Sequence, residues 1–247
     1  MLKLKYWAKA RRASRLFPGY PIYGSPIRKS PQDLTASDLA TTYSYFMGCK
    51  NDRVAALMKF TASWDAPIRS VYSLDDATRC LSKFMFTYGG YVTGDRIPRA
   101  QDIFYGANVL GPTDEALLLA AETSLIFDLG IWFGEALIAA APNLKWRLSE
   151  EIGVKGDLIY NDNGEESCDP AEADLPDFGE NFGVVMLNRA GVWASPLEWM
   201  FNEQRGMRLA RIGKAHLLGE THCEDMILGS IHSNFDWLLG KQSRRLG

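Results

Sequence analysis

The chain is poor in histidine and cysteine. Its three histidines, His216, His222 and His232, all fall in the last 32 of 247 residues. The four cysteines, Cys49, Cys80, Cys168 and Cys223, are far apart and form no CxxC pair. That spacing argues against a disulfide framework and for reduced thiols in a cytoplasmic protein. The common short signatures are missing too: no GxSxG elbow, no GxxxxGK[ST] phosphate loop, no GxGxxG fingerprint and no HExxH. Together these absences count against the usual nucleotide-binding and hydrolase designs. No apolar run long enough for a secretory signal appears in the first 17 residues, where charges are scattered throughout. The most apolar stretch, 113–141, is interrupted by Glu122, Asp128 and Glu135, and a membrane span needs about 20 largely uncharged residues.

Charge is unevenly placed. The net charge is −3. Residues 1–29 carry eight Lys/Arg and no Asp/Glu, whereas residues 149–181 carry eleven Asp/Glu and one Lys. The rest is close to neutral. With 47% apolar and 23% charged residues the composition is that of an ordinary globular protein, and the length allows a real core. Two parts are expected: a basic N-terminal arm and linker over 1–30, and a single α+β domain over 31–247.

Hydrophobic periodicity outlines the elements. Leu2, Tyr6, Ala10, Ala13 and Phe17 share one face of a cationic helix, and a Pro- and Gly-rich linker follows to Pro31. Thr35 and Asp38 form a capping-box pair for a helix bearing Leu39, Tyr43, Phe46 and Met47, which Gly48 is expected to end. A second helix is expected from about Arg53, and a third from Ser73 to Gly89-Gly90. A shorter one is expected over 99–110. The long helix over 113–141 is apolar on most sides, which predicts burial in the middle of the domain. Ala116, Ala120, Thr123, Gly130, Gly134 and Ala141 line one side of it, where another element can approach closely. Leu144 to Leu148 alternates with period two and reads as a half-buried strand. Segments 158–160, 183–187 and 192–193 are further strand candidates. Ser195-Pro196-Leu197-Glu198 and Thr221-His-Cys-Glu224 start two more helices. The expected fold is α+β, mainly α: helices around a buried central helix, with a small antiparallel sheet.

Candidate chemistry is sparse. His222 and Cys223 point about 100° apart on a helix, and His222 to His232 is nearly three turns, so no metal site is expected. His232 can pair with Asp236 instead. No cofactor is implied. Asp128 and Glu135 are the candidate catalytic residues. They share a face of the central helix about 10 Å apart, too far for two carboxylates sharing a proton. The structural alternative is that Arg, Lys or backbone groups satisfy each at the edge of the core, with Lys145 or Arg147 meeting Glu135. The acidic segment does not align with a calcium loop: the alignment puts Ile159 and Pro170 at ligand positions. It does offer a candidate binding surface in Asp162, Glu165, Glu166, Asp169, Asp174 and Asp177. The aromatics near the arm, including Tyr20 and Tyr23, can stack on nucleic-acid bases or anchor the arm to the domain.

Two groups of residues carry a resemblance. Tyr45 to Leu57, containing Asp52-Arg53, is followed by Ser73-Leu-Asp-Asp76 and Leu81. Leu129-Gly130-Ile131-Trp132-Phe133-Gly134-Glu135 is followed by Trp146, by Val184 to Leu187, and by Ser195-Pro196-Leu197. This order resembles certain uncharacterised bacterial proteins with a helix-hairpin first half, a GxxxGE helix and a Trp-bearing strand. The chain departs from them in the acidic insertion 149–181 and at Ser195, where Asn is common. The resemblance implies a fold and no catalytic residues. Some bacterial proteins of this build are of immunity or accessory type and bind another protein. The expectation is therefore a non-enzymatic, protein-binding cytoplasmic factor of immunity or regulatory type. The alternatives are an enzyme using Glu135 and a nucleic-acid-associated protein using the basic arm.

Overall fold

A computed structural model describes residues 19–27, 29, 35–89, 114–141, 144–147, 184–186 and 193–194. It also describes helical positions 196, 197, 199–201, 203, 204 and 207. The described part is mainly helical. Helix α1 spans Ala36–Thr61, α2 spans Leu74–Tyr88 and α3 spans Asp114–Ala140. Helices α1 and α2 both pack on α3. The segments expected over 1–17, 99–110, 158–160 and from Thr221 onward lie outside the described residues. So do the acidic candidates Asp162, Glu165, Glu166, Asp169, Asp174 and Asp177, and the three histidines.

Local signals set the helix starts. The Thr35 hydroxyl accepts from the Asp38 amide, and the Asp38 carboxylate accepts from the Thr35 amide, which closes the capping box. Lys29 adds an ion pair to Asp38 at 2.7 Å and is the first cause holding that carboxyl down at about 2. Ser73 caps α2 by accepting from the Asp76 amide. Gly89 stops α2; a Cβ there would meet the Met85 carbonyl oxygen at 2.3 Å.

Gly48 does not end the first helix. The chain continues unbroken to Thr61, so the two expected helices are one of 26 residues. A glycine inside a helix costs only about 1 kcal/mol. The burial of Phe46, Arg53 and Leu57 on either side of Gly48 outweighs that cost. The buried face also differs from the expected one. Leu39 and Phe46 are buried, Tyr43 is partly buried, and Met47 is exposed.

Helix α3 is the centre of the core. From Ala120 to Phe133 every residue is buried. Its stretch Leu119–Ala140 is long and apolar enough to cross a membrane, yet 78% is buried against the rest of the protein. A helix apolar on most sides and wrapped by its neighbours is a core helix. The small-residue side is used as expected at Gly130. There Leu197 comes so close that an added Cβ would lie 2.8 Å from the Leu197 Cα. Leu197, Met200, Phe201, Gln204 and Met207 are helical, spaced 3-1-3-3, and all buried. That spacing puts these described residues on one helix face toward the core.

Beyond α3 the backbone turns at Ala141 and enters β1, Lys145–Arg147. Trp146 is buried while Lys145 and Arg147 are exposed, the alternation expected of a half-buried strand. β1 pairs antiparallel with β2, Val184–Met186, in the register Trp146 to Val185. β2 pairs antiparallel with β3, Trp193–Ala194.

The segment 19–27, expected as part of a linker, packs on the core. Tyr20 and Tyr23 are 3% and 6% exposed. The Tyr20 ring meets Phe60 edge-on, and the Tyr23 ring meets Tyr45 and Phe127.

Candidate functional site

Both candidate acids of α3 are engaged, each by a cation of α1. Asp128 is fully buried. Arg53 grips it with two hydrogen bonds, Nε to Oδ1 at 2.9 Å and Nη2 to Oδ2 at 2.6 Å. This fork is the strongest form of carboxylate recognition available to a side chain. Tyr20 donates its hydroxyl to the same carboxylate. Arg53 Nη2 also donates to the Pro21 carbonyl at 2.7 Å. The guanidinium lies 5.7 Å from the Tyr20 ring centre and 5.8 Å from that of Tyr23, within cation–π range. The Tyr23 amide donates to Ser124 Oγ at 2.9 Å, and Ser124 donates to the Ala120 carbonyl.

Burial dominates the electrostatics here. It pushes the Asp128 carboxyl up to about 6, while Arg53 and the Tyr20 hydroxyl pull it down without fully offsetting it. The Tyr20 phenol is raised, first by burial and then by the charge of Asp128. Burial opposes the Arg53 cation, but Asp128 more than compensates, and Arg53 sits above its ordinary value. Cys49 is half-buried near this cluster, and burial raises its thiol, so it is not an activated nucleophile.

Glu135 occupies a different setting two turns along α3. Its Oε1 accepts from Lys50 Nζ at 2.6 Å and from Trp146 Nε1 at 2.6 Å. About a third of its side chain is exposed. Lys50, rather than the expected Lys145 or Arg147, is its partner. Strand geometry explains the difference. With period two, Trp146 is the buried residue of the strand and its indole reaches Glu135, while Lys145 and Arg147 lie on the exposed side. Arg53 meets Asp128, and Lys50, one turn earlier on α1, meets Glu135, two turns later on α3. The two helices therefore run in opposite directions along their contact. Beside Glu135 lies an open groove of about 440 Å³, mainly apolar, lined by Met47, Lys50, Ile138, Leu144, Trp146 and Arg147 among others.

The structure thus does not bring Asp128 and Glu135 together. Each has its own partners, as carboxylates at or near a core require. Asp128 lies deeper than the expected edge of the core. Sequence reasoning missed Arg53 and Tyr20 as partners of Asp128, and Lys50 and the Trp146 indole as partners of Glu135. The available signal was a charged residue on the apolar side of α1: Arg53 follows Phe46 by seven positions and precedes Leu57 by four. Among the described residues no group of three or more His, Cys, Asp or Glu is placed to hold a metal ion. No family model, curated protein or solved structure matches this chain.

Proposed function

We propose that this chain acts by binding another protein, as a bacterial cytoplasmic factor of immunity or regulatory type, and that it is not a catalyst. The observation that supports this most is the engagement of both central acids. Asp128 is sealed beneath Tyr20 by Arg53, and Glu135 is tied to Lys50 and the Trp146 indole. Groups so paired serve the fold first. The α+β build, with the three short strands forming one small sheet beyond the central helix, is part of this reading. The acidic segment 149–181 is the first candidate surface, because a concentrated charge block speeds and orients association with a basic partner.

The groove beside Glu135 favours one other reading, an enzyme using that carboxylate. The nucleic-acid reading has less support at the root of the arm, where Tyr20 and Tyr23 are buried against the core rather than presented to bases. The test is co-expression with the products of the neighbouring genes, followed by size-exclusion chromatography. A stoichiometric complex that persists in the Glu135→Gln variant supports the binding reading. No complex with any neighbour, together with a turnover activity that Glu135→Gln abolishes, overturns it.

A further inference from the structure

Residues 19–27 belong to no helix or strand. No backbone–backbone hydrogen bond joins them to another element among the described residues. They are held instead by two buried tyrosine rings and by bonds that involve side chains, among them Tyr20 to Asp128, Arg53 to the Pro21 carbonyl, and the Tyr23 amide to Ser124. Pro21, Ile22 and Gly24 face outward.

What lies beneath is already built without them. Arg53, Ser124 and Asp128 sit on α1 and α3, and the two-pronged Arg53–Asp128 pair needs nothing from the segment. Docking therefore strips water from a preformed ion pair, which opposes it. In return the pair gains one phenol and one carbonyl, and the rings gain Phe60, Phe127 and Tyr45 as neighbours. Opening gives the pair its water back and frees the backbone of an irregular segment.

We propose that residues 19–27 form a releasable strap, latched by Tyr20 on the Arg53–Asp128 pair, whose opening uncovers a charged, aromatic-walled slot between α1 and α3. The inference is independent of whether the chain binds a protein or acts on a substrate. The open slot presents one guanidinium, one carboxylate and the Ser124 hydroxyl to an incoming chain. The strap itself, Tyr-Pro-Ile-Tyr, shows what fits there: an extended segment with aromatic hydroxyls three residues apart.

Native-state proteolysis reads the opening directly. Chymotrypsin can cut after Tyr23 only when that side chain leaves the slot, and the Tyr20–Pro21 bond resists it. The full-length chain is digested at increasing urea concentrations below its unfolding transition, and the 23–24 cut is followed by mass spectrometry. The strap predicts a cutting rate nearly independent of urea. It predicts a further rise of about tenfold in Tyr20→Phe, the size expected for losing a hydrogen bond to a carboxylate, still with little urea dependence, whereas Gly130→Ala, which destabilises the core at Leu197 and touches no strap contact, leaves the cutting rate nearly unchanged. Ser124→Ala removes a separate anchor and should act in the same direction if Tyr20→Phe does not fold. A cut whose urea dependence matches that of global unfolding, or one that Gly130→Ala accelerates in proportion to the global stability it loses, overturns the proposal.

Discussion

Removing the Arg53 charge should be among the most damaging single changes in the described core. In Arg53→Met the side-chain length is roughly kept and the cation is lost. Asp128, fully buried, then keeps only the Tyr20 hydroxyl. Breaking a buried pair by removing one partner costs about 3–5 kcal/mol, because the remaining charge has neither water nor a counter-ion. The carboxyl, already pushed up to about 6, can escape part of this by taking a proton, which places the expected loss near the lower end, about 3 kcal/mol. Against a typical total of about 5–15 kcal/mol this is a large fraction. Adding Asp128→Leu should recover much of the loss, since an apolar pair of similar volume is often no worse than the ion pair. It leaves the Tyr20 hydroxyl without its acceptor, at about 1–3 kcal/mol. Tyr20→Phe in the same chain should remove that remainder. The expected order of stability in urea denaturation at pH 7.5 is therefore single, double, triple, rising towards the wild type with similar m-values. A single variant that loses less than about 1 kcal/mol, or a double variant no more stable than the single, would refute the account of Asp128 as a sealed acid.

Three other outcomes follow from the geometry. The folded Asp128 carboxyl titrates at about 6 against an ordinary 3.8, so the folded state holds the extra proton between those values. Its contribution to stability should fall as pH rises from about 4 to about 6 and stay level above, by up to about 3 kcal/mol. The difference in unfolding free energy between wild type and Asp128→Asn across that range measures it, and a difference that grows with pH would show a depressed carboxyl instead. Gly48→Ala and Gly130→Ala should act in opposite directions. Nothing lies within 4 Å of an added Cβ at Gly48, so alanine should stabilise α1 by about 0.5–1 kcal/mol, whereas at Gly130 it would press on the Leu197 backbone and cost about 1–3 kcal/mol. Thermal melts of the two variants decide this, and equal shifts would contradict the close contact. Glu135→Gln should lower stability by less than about 1 kcal/mol, because its carboxylate is partly exposed and its ion pair screened. A loss above 2 kcal/mol in chemical denaturation would mean that Glu135 is a structural keystone.

Much of the local structure was legible in the residues themselves. Thr35 with Asp38, Ser73 with Asp76, and Gly89 each act within one helical turn, so their partners are near in sequence. The apolarity of 113–141 on most sides pointed to a buried helix, and the alternation from Leu144 to Leu148 pointed to a half-buried strand, which Lys145–Arg147 forms. The stripe of small residues announced a close approach, and Gly130 is where it occurs. Gly48 was misread because its helix-breaking tendency is weak, and the burial on both sides of it is invisible to a short window.

The pairings that define the candidate site were beyond sequence reasoning. Arg53 and Asp128 are 75 positions apart, and Tyr20 and Asp128 are 108 apart. Sequence determined that α3 carries acids and that a core acid needs a partner, because burying an uncompensated charge is too costly. Which cation would meet which acid, and that a presumed linker would close over the pair, depended on how α1 lies along α3. Caps and periodicity come from nearest neighbours along the chain. Charge pairing in a core comes from which surfaces pack together, and only the tertiary structure decides that.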